Sequence, residues 1–96
     1  MLQHEPDTIV DNAVEELLQR AAAVNLSRRD IGALLGVSSQ AVHNWAHKRY
    51  RTDNVVTFLR IIDLNTRLAT MSEGEQAAIR TNLNRRKRWV SAMVSN

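Results

Sequence analysis

The sequence predicts an all-α fold, on three observations. Three glycines, one proline and 4% aromatic residues among 96 leave little material for turn-dense, aromatic-rich sheets. Apolar residues recur at spacings of three and four along several segments, which is the period of one face of a helix. Ser, Asn or Asp stands just before most of those segments, where a side-chain oxygen accepts from the first free backbone N–H groups. With 44% hydrophobic residues the chain has material for one core, so residues 1–96 read as a single domain.

Five helices are expected, in a compact arrangement. The first opens at Pro6-Asp7, because proline tolerates a first turn and an acid suits the positive end of the helix dipole. Val10, Val14, Leu17, Ala21 and Val24 then line one face, widened by Ala13 and Leu18. This spans about two heptads, too few for a coiled coil, and reads as core-facing. Ser27-Arg-Arg-Asp30 sets an N-cap hydroxyl three residues before a carboxylate, so a second helix begins there with Ile31, Leu34 and Leu35 as its apolar face. Gly36 permits the φ > 0 turn that ends it. Ser38 or Ser39 caps a third helix, apolar at Ala41, Val42, Trp45 and Ala46 and polar at Gln40, His43, Asn44 and His47.

Arg51-Thr-Asp53-Asn is a polar break. The fourth helix carries Val55, Val56, Phe58, Leu59, Ile61, Ile62, Leu64 and Leu68, apolar on more than one side, so it is either central to the core or shared with another chain. Ser72-Glu-Gly-Glu75 is a capping box that opens a basic C-terminal helix over 72–95. Its stripe Ile79, Leu83, Val90 and Val94, with Ile61, Leu64 and Leu68 of the fourth helix, forms a candidate dimer contact.

Charge is unevenly placed around a net +3. Glu5, Asp7, Asp11, Glu15 and Glu16 face only Arg20 in the first 26 residues, whereas Arg28, Arg29, Lys48, Arg49 and Arg51 face only Asp30 in residues 27–51. A second basic group, Arg85-Arg-Lys-Arg88, lies near the C-terminus. Two grouped cationic segments are the electrostatic footprint of a polyanionic partner. The basic run occupies four consecutive helical positions, so it surrounds its helix, and part of it is solvated whatever it binds.

Several chemistries find no residues here. Without cysteine there is no disulfide frame, thiolate zinc site or cysteine nucleophile. No apolar run reaches the roughly 18 to 20 residues of a membrane span, and the N-terminus has no secretory pattern, so a cytoplasmic location is expected. His43 and His47 have the i, i+4 spacing of a helical metal pair, but Asn44 stands where a zincin-like site needs Glu, and no third ligand is close in sequence. Neither a metal nor another cofactor is expected. With no Ser/His/Asp arrangement and no glycine-rich phosphate loop, the chain does not read as an enzyme.

The informative stretch runs from Leu26 to His47. A short helix, a glycine turn and a second helix need a small residue where the backbones approach and apolar residues to lock the pair. Gly32 is the small residue, Gly36 the turn, and Ile31, Leu35, Val37, Val42 and Trp45 the lock. Ser38, Ser39, Gln40, His43, Asn44 and His47 must then face outward, followed directly by Lys48, Arg49 and Arg51.

Residues 27–47 resemble the helix-turn-helix of the Cro/C1-type (XRE-like) transcriptional regulators of phages and plasmids, whose lambda-repressor-like domains have five helices. The likeness extends loosely across 17–68. It implies a DNA-binding repressor that acts as a homodimer on an inverted-repeat operator, with the helix around 38–49 in the major groove, in the cytoplasm of a bacterial or phage-infected cell. Base contacts then fall on Ser39, Gln40, His43 and Asn44. Backbone contacts fall on Arg28, Ser38, His47, Lys48, Arg49 and Arg51. The family usually has alanine where Gly32 stands, and its motif leaves the acidic first helix and the basic last one unexplained. Two other readings fit the same residues: an antitoxin or anti-activator that binds a protein partner as well as DNA, and a DNA-binding adaptor of a packaging or replication machine.

Overall fold

The computed structural model describes residues 6–47, 49 and 54–95, with side chains from Asn12 onward. The secondary structure of these residues is entirely helical, in six helices: α1 (Pro6–Ala23), α2 (Arg28–Leu35), α3 (Ser39–Ala46), α4 (Val55–Thr70), α5 (Glu73–Thr81) and α6 (Leu83–Ser95). Among them no helix is long and apolar enough to cross a membrane.

Local chemistry sets the boundaries. Asn25, at φ 61°, takes the left-handed conformation behind α1, and its Nδ2 donates to the carbonyl of Arg80 at 2.9 Å, tying the end of α1 to the end of α5. At α2 both halves of the capping box are formed: the Asp30 N–H donates to Ser27 Oγ at 3.0 Å, and the Ser27 N–H to Asp30 Oδ2 at 3.1 Å. Asn54 Oδ1 accepts from the N–H groups of Val56 and Thr57 at the head of α4. Ser72 Oγ accepts from the Glu75 N–H at 3.2 Å, while the Glu75 carboxylate turns to α6 and meets Arg85 Nη2 at 3.1 Å.

Spacing of three and four then decides what is buried. Val14, Leu17, Ala21 and Val24 of α1 and its end face Ile61, Leu64 and Leu68 of α4 across the centre of the molecule. Leu35 and Val42 enter from α2 and α3, and Ile79 from α5. Fully burying an aliphatic side chain contributes about 1.5 to 3 kcal/mol, so this shared interior and not helix propensity holds helices as short as α2 and α3 in place. α6 lies against α2 and α5, with Trp89 and Val90 partly buried on the core.

Two expectations are corrected here. The segment 72–95 is two helices, not one, which makes six in place of five. Asn82 leaves the helical region (φ −121°, ψ 107°), and its Oδ1 accepts from the Arg85 N–H at 3.0 Å, so one residue ends α5 and caps α6. The supposed dimer stripe is also largely internal. Ile61, Leu64, Leu68 and Ile79 are 0 to 4% exposed within the chain's own core, Val90 is half-buried against it, and only Leu83 and Val94 are open to solvent.

A further exposed apolar surface lies on α4. Val55, Val56, Leu59 and Ile62 of α4 are 39 to 69% exposed, on the side of that helix away from Ile61 and Leu64. The two-sided hydrophobicity of α4 thus has one half inside and one half in water.

Candidate nucleic-acid interface

α2 and α3 are joined by three residues, Gly36, Val37 and Ser38. Gly36 has φ 73° and ψ 31°, a conformation that costs any residue with a Cβ, and the Arg60 guanidinium fills the space where a Cβ would go. From there Arg60 donates to the Leu35 carbonyl at 3.3 Å, satisfying the end of α2. A Cβ on Gly32 would stand 2.7 Å from the Val37 carbonyl oxygen, so the turn folds back directly over that glycine. Ser38 Oγ accepts from the Ala41 N–H at 3.1 Å and starts α3.

Ile31, Leu35, Val42 and Trp45 close the inner side of the pair, with Val37 partly buried beside them. Since α3 buries Val42 and Trp45, three residues apart, its other side is directed outward. Ser38, Ser39, Gln40 and His47 are exposed there, and His43 and Asn44 are half-buried. Arg49 is exposed just beyond the helix, while Lys48 and Arg51 lie outside the described residues.

These side chains are already arranged among themselves. Gln40 Nε2 donates to Asn44 Oδ1 at 3.2 Å, one turn along α3. The imidazoles of His43 and His47 have centroids 4.5 Å apart, tilted by 59°. Arg28, from the first turn of α2, reaches across to His43, with Nη1 2.5 Å from Nδ1. Partial desolvation, then the positive charges of Arg28, His47 and Arg49, hold the His43 imidazole below its ordinary value of 6.5. No Asp or Glu occurs between Ile31 and Thr52, and Asp30 is engaged by the Ser27 backbone. That stretch is therefore polar and cationic, with no acid of its own.

Such a surface can offer hydrogen bonds and positive charge to a ligand. An α-helix with its side chains is about 10 to 12 Å across, close to the width of a B-form major groove. Amides of Asn and Gln offer the donor and acceptor pair that adenine N7 and N6 complement, and guanidinium groups suit phosphate oxygens. Among the described residues no group of three or more His, Asp or Glu gathers around the His43–His47 pair to hold a metal ion.

Two features escape sequence reading. The Arg28–His43 contact joins residues 15 apart on different helices, which no periodicity displays. The basic run is partly structural: Arg86 Nη1 donates to the carbonyls of Ile79 and Arg80 at 2.9 and 3.0 Å, closing the end of α5, and Arg85 pairs with Glu75. Lys87 and Arg88 stay exposed. Comparison of the chain with protein-family models, with curated proteins and with solved structures finds no match.

Proposed function

We propose that this protein is a sequence-specific DNA-binding transcriptional regulator, a repressor of phage or plasmid type, with α2 and α3 as its helix-turn-helix and α3 as the helix that enters the major groove. One observation carries the reading: α3 buries Val42 and Trp45 and turns Ser39, Gln40, His43 and Asn44 outward, in a stretch with no acid from Ile31 to Thr52. Gln40, Asn44, His43 and Ser39 read base edges. Arg28, Ser38, His47, Lys48, Arg49 and Arg51 hold the phosphate backbone and set the register.

An eight-residue helix reads only a few base pairs, so useful discrimination requires two copies about 34 Å apart on an inverted-repeat operator. The exposed face of α4 suits that self-association. Val55, Val56, Leu59 and Ile62 form an apolar strip that a two-fold contact would set against its own copy. DNase footprinting on the DNA flanking the protein's own gene tests the proposal. The expected result is a protected pair of half-sites about one helical turn apart, and uniform or absent protection contradicts it.

The same strip favours one second reading, in which a different protein covers α4 and the chain is an antitoxin, an anti-activator or an adaptor of a larger DNA machine. Light scattering with and without operator separates the two: a homodimer supports the repressor, and a ring-like assembly or an obligate second polypeptide supports the alternative.

A further inference from the structure

We propose that Arg28 is a positioning residue for His43, fixing the imidazole in its neutral Nε2–H tautomer so that α3 offers one base pair a hydrogen-bond donor, best met by guanine. This rests on the DNA-binding reading and goes beyond it by assigning a base preference to one side chain and a second role to an arginine otherwise placed on phosphate.

Arginine carries only donors and does not lose its proton in a protein. A guanidinium nitrogen 2.5 Å from His43 Nδ1 therefore requires Nδ1 to be bare and accepting. A neutral imidazole with a bare Nδ1 holds its proton on Nε2. The surroundings also oppose the doubly protonated ring: Arg28 comes from α2, His47 and Arg49 come from α3 and its end, and the one nearby acid of α2, Asp30, is engaged by the Ser27 backbone. With Nδ1 taken by Arg28, Nε2 is the ring nitrogen left to donate from this half-buried side chain.

A lone donor discriminates among base edges. In the major groove guanine presents two acceptors, N7 and O6, with no donor beside them, whereas adenine N7 stands next to an amino donor, thymine O4 next to a methyl group, and cytosine presents an amino donor alone. An imidazole with Nδ1–H and a bare Nε2 would have the opposite preference. Arg28 thus selects between two readings of the same histidine, although it sits on the other helix.

The test begins on the free protein. Long-range ¹H–¹⁵N spectra of the imidazoles are recorded between pH 5 and 8 for wild type, Arg28→Gln and the conservative Arg28→Lys. Wild type is expected to show the Nε2–H pattern for His43 and a midpoint below 6.5. Arg28→Gln should give mixed tautomers and a higher midpoint, with Arg28→Lys between. Selection from randomised duplexes then follows. Wild type should prefer guanine at one position of each half-site, and Arg28→Gln should lose roughly tenfold of that preference there while keeping the preferences due to Gln40 and Asn44. An Nδ1–H pattern in wild type, or an Arg28→Gln variant with unchanged spectra and unchanged base preference, overturns the inference. Expected spectra with no binding to any duplex overturn instead the DNA-binding reading beneath it, so the two failures are distinct.

Discussion

Gly32 and Gly36 set the geometry of the α2–α3 pair at the level of single atoms. A methyl at Gly32 gains up to about 1 kcal/mol of helix propensity but meets the Val37 carbonyl oxygen at 2.7 Å. Overpacking against backbone costs about 1 to 3 kcal/mol, so the clash outweighs the gain. Gly32→Ala should therefore lower stability in urea denaturation. The glycine and its turn were legible in the sequence; the closeness of the turn to Gly32 was not, because it depends on how Val37 and Ser38 fold back. At His43 the sign is fixed by direction. Its folded-state value lies below 6.5, so between the two values the unfolded chain binds more protons, and stability falls as pH drops through that window. Melting curves from pH 7.5 to 5 should show this loss in wild type and a smaller one in His43→Gln.

Individual helices owe their limits to caps, and that is why most of them could be read in advance. Ser27, Ser38, Asn54 and Ser72 all stand at helix starts that the residue order announces. Asn82 went unread because the apolar stripe of Ile79, Leu83 and Val90 runs through it without a change of period, and only the Asn82–Arg85 bond reveals the break. Asn82→Ala should remove the cap of α6 and loosen it from α5, at a cost of about 1 kcal/mol, read as a lowered melting temperature and faster amide exchange in 83–87. For α4, the apolar excess was visible in the residues, but which half faces inward follows only from packing against α1. Ile61, Leu64 and Leu68 went to the core and left Val55, Val56, Leu59 and Ile62 outside.

Across the whole molecule, the acidic start and the basic middle divide the labour. Glu16 accepts from Arg20 and from Asn65 of α4, which hold its carboxyl below the usual 4.5 and link α1 to α4. The cationic residues collect where a polyanion would approach. Removing Arg49 should weaken binding to every duplex and reduce the slope of log affinity against log salt by about one unit, whereas Gln40→Ala should cost about 1 to 3 kcal/mol on the preferred site alone. The apolar strip of α4 should decide assembly: Leu59→Lys, at a position 58% exposed in the isolated chain, is expected to leave the fold intact by circular dichroism and to abolish the dimer in sedimentation. The measurement that bears most directly on the role of α3 is fluorescence anisotropy of a labelled duplex from the gene's own flank, titrated at low salt with wild type and with the Gln40→Ala, Asn44→Ala double variant. Saturable binding by wild type, with the variant reduced to the weak level shared by all sequences, is the predicted result; no saturable binding by wild type, or identical curves for the two proteins, would contradict it.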